Sequence, residues 1–585
     1  PAPTPTPTAT ATPTPPATAK IYQHPVYGKY IKAAEFGVDT SGKTNASDDL
    51  DKALAFAQRE KVAVQITGTV RINRPIVLNA ENAGITALFG EGMGRTTLKF
   101  AWNQDGDYRT DSRDSNELDV SQYAGIVVSG RDTSKIADTK TTLAEFSLVY
   151  DKTDNYYLYQ KSYFGKVNGI YVDDSDNVHI NKVEVSGANR AGIYFDSNRS
   201  YSLRDPDPRY NDFYKRLLID GKVDSSYVKL PSGDNNKVTE CELHHNRVAG
   251  LMFGYQRNFS AERNSLTENG DYRDGGTGYG LASVAGSYNF GVKIVGNRTL
   301  KNLRKGLDIH DGDDITITDN LLEADRLYGI EVYNRQFPMT KVDISHNTII
   351  QNPLNRLEKD DDEGPRYQLY QAIGLIVNEK WNNLPVKADG NFKISNNTIK
   401  NFTAYKNPQR DDQSYAILFR NREAERNYQV AIDSNVIEGS YSSKATIAAI
   451  GETQSFYDAS GKRTNTARPG KGSGTILIRG NRIKLDEQTG MAPIWNEEQF
   501  TDGSLRGQVN VVANEITIKK ANATRDAFLI GPGNASEYLV RGNRFVLGGD
   551  IGASDGKPIG EVSGRDNNQQ QPKAQVIFSS ITADS

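Results

Sequence analysis

Gly306-Leu307-Asp308-Ile309-His310, followed 23 residues later by Gly329-Ile330-Glu331-Val332-Tyr333, sets apolar residues against polar ones in strict alternation after a glycine. The pattern recurs from Gly169, Gly192, Gly250, Gly280 and Gly374, with several of these glycines 23 to 30 residues apart. Period-two alternation marks a strand with one buried face. Short strands repeated at a regular interval mark a solenoid, in which each coil buries its apolar side against its neighbours. Rich in β-branched residues and poor in helix-period stripes, the chain is expected to be all-β: a single-stranded right-handed parallel β-helix. A β-propeller would need blades of roughly 40–50 residues with aromatic signatures of their own, and the sequence offers none.

The glycine fixes a register. The first and third residues after it should face the lumen, and the second and fourth should face out, with strands about 4.8 Å apart. One outward column then runs Tyr171, Tyr194, Met252, Ala282, Asp308, Glu331, Ile376. The other runs Asp173, Asp196, Gly254, Val284, His310, Tyr333, Asn378. A second repeat, Ile or Val followed by x-x-Asn, ends at Asn297, Asn320, Asn347, Asn397, Asn435, Asn481, Asn514 and Asn543. Each asparagine is expected to close a turn by taking the left-handed conformation and bonding its own backbone.

Composition narrows the function. A net charge of −3 over 585 residues argues against nucleic acid as a partner. No run reaches the roughly 20 apolar residues of a membrane span. The single Cys241 excludes an internal disulfide framework and reads as a buried core thiol. Residues 1–19 are only Pro, Ala and Thr, an extended spacer of the kind found on secreted or surface-tethered proteins. The expected division is a Pro/Thr-rich linker over 1–30, a catalytic β-helix over 31–545 and a C-terminal extension or cap over 546–585.

The entry to the repeat, Phe36-Gly37-Val38-Asp39 through Ser47-Asp48-Asp49-Leu50, precedes an amphipathic helix over 50–58 that Ser47 or Asp48 would cap. This arrangement, with the coils that follow, resembles the pectate-lyase-like right-handed β-helix superfamily of polysaccharide lyases, tailspike-type depolymerases and mannuronan C5-epimerases. The resemblance implies the fold and a capping helix. It leaves the reaction open, because one scaffold carries several chemistries.

The register brings Asp308 beside Glu331 and His310 beside Tyr333, with Ala282 and Gly254 expected to leave a hollow next to them. Stacked carboxylates on an exposed strand are costly without compensation, which points to a functional patch. Arg304, Lys305, Arg326 and Arg335 flank it. Residues 197–235 and 269–279 interrupt the repeat with arginines and tyrosines. From this face and these loops Tyr194, Asp196, Arg273 and Tyr279 are expected to contact substrate, aromatics stacking on sugars and arginines pairing with carboxylates. His179, His244, His245 and His346 read as ordinary strand or turn residues. The acidic run 311–314 reads as a turn that would suit Ca²⁺ but lacks EF-hand spacing. No other cofactor is expected.

Asp308-Ile309-His310 is also similar to the Asp-Pro-His signature of mannuronan C5-epimerases and their alginate-lyase relatives. That resemblance implies catalytic roles for Asp308 and His310, with Lys305 standing where the family has a tyrosine. Lysis or epimerisation of a uronic-acid polymer needs a cation on the C6 carboxylate, a base for H5 and an acid. Arg304 or Arg335 would bind the carboxylate, His310 or Lys305 would be base, Tyr333 acid, and Asp308 would orient His310. The expectation is a lyase of an acidic exopolysaccharide, as monomer or homotrimer. The alternatives, in order, are a glycoside hydrolase using Asp308 and Glu331, an epimerase, and a non-catalytic glycan-binding protein.

Overall fold

The repeating glycines lie where no side chain fits. A Cβ on Gly169 would fall 2.5 Å from the Gly192 carbonyl oxygen, one on Gly280 2.6 Å from that of Gly306, and one on Gly306 2.7 Å from that of Gly329. Successive coils approach this closely only without a Cβ. The computed structural model describes residues 19–101, 124–150, 167–197, 233–547 and 575–579. Left out within these are 80–84, 130–136, 272–275, 285–286, 335–337, 353–368, 379–387, 405–413 and short segments beyond 452. The N-terminal tract, residues 198–232, Arg273 and Arg335 therefore lie outside the described residues.

Eight strands carry the face of interest: β1 (Asn168–Asp173), β2 (Ala191–Asp196), β3 (Ala249–Gly254), β4 (Tyr279–Ser283), β5 (Lys305–His310), β6 (Tyr328–Tyr333), β7 (Gln371–Val377) and β8 (Tyr415–Asn421). They stack in this order within a thirteen-stranded sheet, every pair of them parallel. Ile193, Leu251, Leu281, Leu307, Ile330 and Ile373 face the lumen in register and are fully buried. One apolar cluster runs from Ile31 to Ile518, the continuous core a solenoid requires. Parallel strands joined by such crossovers are right-handed in nearly all proteins.

The first expected column holds from Tyr171 to Glu331 and then slips. The second runs from Asp173 through Asp196 to Gly254, breaks at Val284 and resumes at His310 opposite Tyr333. Gly374 faces Glu331, and Ile376 faces Tyr333, so neither Ile376 nor Asn378 takes the place expected of it. The glycine rung is occupied there by Ala372, whose carbonyl oxygen lies 2.7 Å from where a Gly329 Cβ would be. A glycine is a register mark only while every coil uses the same one.

A second, thirty-two-stranded sheet supplies the remaining walls and bends at each Ile-x-x-Asn corner. The left-handed residue there is not the asparagine but the one before it: Arg263, Asp319, His346, Asn396, Ser434 and Ala513, with φ between 54° and 59°, and Gly296, Gly480 and Gly542. The asparagines turn inward and form a ladder, Asn264–Asn297–Asn320–Asn347–Asn397–Asn435–Asn481–Asn514–Asn543. Each Nδ2 donates to the next Oδ1 at 2.9–3.0 Å. Each Oδ1 beyond the first rung also accepts the previous asparagine's backbone N–H. An amide carries both a donor and an acceptor, so it satisfies a buried ladder that a carboxylate or an alkyl group would break. A shorter ladder, Asn246–Asn269–Asn302, ends on a carboxylate, Asp325.

Helix α1 (Ser47–Glu60) occupies the expected place and buries Leu50, Ala53, Leu54, Phe56 and Ala57. Its N-cap is Ala46, without a side-chain cap. The Ser47 hydroxyl bonds Asn45 and Asn73 instead, because it already lies inside the first turn. An antiparallel hairpin, Tyr22–His24 and Gly28–Lys32, precedes the helix. At the other end the strand Gln575–Ser579 adds a parallel rung to Glu537–Arg541. Among the described residues no helix is long and apolar enough to cross a membrane.

Candidate active site

Three consecutive coils converge on one ammonium. Lys305 precedes the glycine of β5, a position the register sets between Tyr279 of β4 and Tyr328 of β6. Its Nζ sits 5.8 Å and 5.0 Å from the two ring centres. The same Nζ contacts Asp308 Oδ1 at 3.0 Å and closes on Glu331 Oε2. His310 Nε2 lies 3.0 Å from Asp308 Oδ1 and 3.6 Å from Glu331 Oε2. Its ring stacks on Tyr333, with centres 5.5 Å apart and planes at 29°. The four groups expected to meet do meet, and Lys305 ties the two carboxylates together.

The cluster is not the exposed patch that the sequence led us to expect. Asp308, Glu331 and Lys305 are 3 %, 4 % and 5 % exposed. Of these groups only His310 and Tyr333 are partly open, and both ring nitrogens of His310 lie beneath the surface. Burying two carboxylates is tolerable because an ammonium and an imidazole lie against them; removing either cation would leave a charge without its partner.

That arrangement sets each group's charge. Burial would push the Lys305 ammonium down, but Asp308 and Glu331 outweigh it and hold its pKa above the usual lysine value. Burial likewise opposes the charged forms of Asp308 and His310. The His310 and Lys305 cations nevertheless hold the Asp308 carboxyl well below the carboxylate range, and Asp308 in turn holds His310 above the usual histidine value. Lys305 is thus held as a cation between the two carboxylates.

Arg304 is buried, its guanidinium 5.8 Å from the Tyr279 ring centre. Arg326 spends its Nε on the Leu303 carbonyl, so that N–H holds a turn. Tyr194 and Asp196 lie three strand spacings from β5, about 14 Å away. They form a separate group in which the Tyr171 and Tyr194 hydroxyls donate to Asp196 Oδ2 at 3.2 and 3.1 Å. Burial and the neighbouring Asp173 push the Asp196 carboxyl up to about 7. Among the described residues, Gly254 does not leave open space. A Cβ on Gly254 would meet Val284 and Ser287 at 3.3 Å, and Tyr194, Val248 and Met252 pack into an apolar cluster there.

Asp308, His310 and Glu331 present oxygen and nitrogen atoms within 4.8 Å of one another, a spacing a divalent cation could bridge. The Lys305 ammonium takes that place against both carboxylates. In the acidic run 311–314, Asp313 accepts the backbone N–H groups of Asp314, Thr340 and Lys341 and the Thr340 hydroxyl. Asp314 pairs with Lys341 at 2.6 Å.

Four contributors went unread in the sequence. Tyr328 was legible, since it shares the offset of Lys305 from the glycine. Ser283 and Asp325 act through hydrogen bonds that no repeat announces. Arg420 of β8 faces Ile376 and so stands in the column of His310 and Tyr333; its strand lacks the glycine that would have fixed its register.

Residues 168–364 match the family described as right handed beta helix region. A search of curated proteins finds no match. Among solved structures, the A-module of mannuronan C-5 epimerase AlgE6 from Azotobacter vinelandii is 13 % identical, over 88 % of this chain and 99 % of its own, with a TM-score of 0.39. The family 28 exopolygalacturonase of Yersinia enterocolitica is 12 % identical over 81 % and 78 %, with a TM-score of 0.44. PfbA, a surface adhesin of Streptococcus pneumoniae, is 10 % identical over 88 % and 92 %, with a TM-score of 0.39. This chain stacks parallel coils in long sheets, and the segment that matches the right handed beta helix family lies among them.

Proposed function

We propose that the protein processes an acidic, uronic-acid-containing polysaccharide by removing the C5 proton, with β-elimination as the outcome. The observation that supports this best is His310, an imidazole held on Asp308 and stacked on a partly open phenol. In its neutral form His310 would take H5. The C5 electrons form the C4–C5 double bond, the C4–O4 bond breaks, and Tyr333 gives its proton to the departing oxygen. Arg304 would neutralise the C6 carboxylate so that the carbanion-like transition state is reached; Arg335, which the sequence suggests for the same role, lies outside the described residues. Lys305 would hold Asp308 and Glu331 in place.

Because His310 must shed its proton to act as base and its pKa is raised, the rate should climb with pH through that raised value. The test is a panel of purified uronate polymers followed by ultraviolet absorbance of the unsaturated product. Absorbance that His310→Ala abolishes supports the reading; no unsaturated product from any polymer overturns it.

A second reading rests on the carboxylate spacing. Oxygen atoms of Asp308 and Glu331 within 4.8 Å suit a retaining glycosidase pair, about 5–5.5 Å apart, better than an inverting pair at about 6.5–9.5 Å. New reducing ends without a double bond would favour it. We also infer that α1 closes the N-terminal end of the solenoid, since it packs on the first stacked strands, Gly28–Lys32 and Ala63–Gln65. The Pro/Ala/Thr tract supports an extracellular setting.

A further inference from the structure

We infer that Ser283 is the positioning residue that aims His310, a role that rests on the function proposed above. Pairing between β4 and β5 stops at Ala282 opposite Asp308. The next backbone N–H of β4's chain, that of Val284, returns to Phe253 of β3. His310 is therefore left beyond the last ladder pair with its predecessor coil. Ser283 closes the gap with its side chain. The His310 N–H donates to Ser283 Oγ at 2.7 Å, and Ser283 Oγ donates to the His310 carbonyl at 3.0 Å. One hydroxyl thus holds both polar groups of the His310 backbone.

The consequence reaches the ring. His310 owes its place to a single rung opposite Tyr333 on one side and to this hydroxyl on the other. Ser283 is 5 % exposed, so water is a poor substitute for it. The groups that face the imidazole are Asp308 and Lys305 from its own strand and Glu331 and Tyr333 from β6; Tyr279 of β4 faces Lys305 behind it. A small swing of the His310 backbone lengthens the Nε2 contact to Asp308 while leaving the Lys305 cluster intact.

The experiment is an NMR titration of the His310 imidazole in the full-length protein, assigned with His310→Gln, in Ser283→Ala and Ser283→Thr. Loss of the hydroxyl should move the His310 titration down toward the ordinary histidine value, with the thermal midpoint little changed, and threonine should restore it. On a cleaved polymer, Ser283→Ala should lower kcat by about tenfold to hundredfold, the scale of a misplaced catalytic group, and shift the acidic limb of the pH–rate profile by the same amount as the titration. An unchanged titration in Ser283→Ala overturns the inference, as does failure of threonine to restore a shifted one. If the alanine variant does not fold, Ser283→Cys, of similar size and a weaker donor, is read in the same way. The titration needs no substrate, so it decides the role of Ser283 even if the protein proves not to be a lyase.

Discussion

Asp325 occupies the rung where the short ladder calls for an asparagine, and replacing it with one should stabilise the protein at neutral and alkaline pH. Its Oδ1 accepts the Asn302 backbone N–H at 3.0 Å and Nδ2 at 2.9 Å, and its Oδ2 accepts the Thr299 hydroxyl. Burial raises the carboxyl to about 7 despite those bonds. An unfolded aspartate titrates near 3.9, so between about pH 4 and pH 7 the folded state holds a proton that the unfolded state has lost. Stability therefore falls as pH rises through that window, and the loss is complete above it. Three units at about 1.4 kcal/mol each set a ceiling of about 4 kcal/mol, and relaxation of the site will leave less. Asp325→Asn keeps the Oδ1 acceptor and supplies the donor that every other rung uses, without the ionisation. Chemical denaturation of both proteins from pH 4 to pH 8 is the assay. The curves should diverge with rising pH, the variant ahead by about 2–4 kcal/mol at pH 8 and near parity at pH 4. Parallel curves, or a variant weaker throughout, would refute the account of Asp325 as a mismatched rung.

Removing the ammonium should be far more damaging than removing an exposed charge. Lys305→Met leaves Asp308 and Glu331 buried against each other with only His310 to offset them; a loss of about 3–5 kcal/mol, read by denaturation, is expected for breaking such a pair. At Gly306, alanine would bring a Cβ within 2.5 Å of Asp325 Oδ2 and 2.7 Å of the Gly329 carbonyl oxygen. At least the 1–3 kcal/mol typical of overpacking should be lost, with turnover falling because the same residue joins Lys305 to Asp308.

Much of the fold was legible because its constraints are local and repeated. Gly192, Gly280 and Gly306 recur since each coil needs a site without a Cβ, and alternation after them tells which side faces the lumen. What failed was inference from one coil to a coil that solves the same problem differently. Ala372 replaces the glycine and Gly374 stands elsewhere, so the last column slipped. The asparagines were visible as a repeat, but their purpose was not. An asparagine in a turn ordinarily suggests a left-handed backbone, whereas here the preceding residue takes the strain and the amide faces inward. Sequence shows that Asn320 and Asn347 are 27 residues apart; it does not show that they hydrogen-bond to each other.

The candidate site extends that logic to chemistry. Columns let the sequence place Asp308 on Glu331 and His310 on Tyr333, because all four follow a glycine at a fixed offset. Burial was not legible, and it changes what each group can do. An exposed lysine is free to exchange its proton; one wedged between two carboxylates and two rings is held as a cation. The partly open group best suited to exchange a proton is the imidazole. Its partners come from β4, β5 and β6, so no single strand encodes the site. A solenoid makes such an assembly inexpensive: each coil adds one member to a column at nearly constant spacing. The same geometry makes it fragile. Loss of any one member leaves a buried charge or an unaimed ring that its neighbours, locked in register above and below, cannot move to replace.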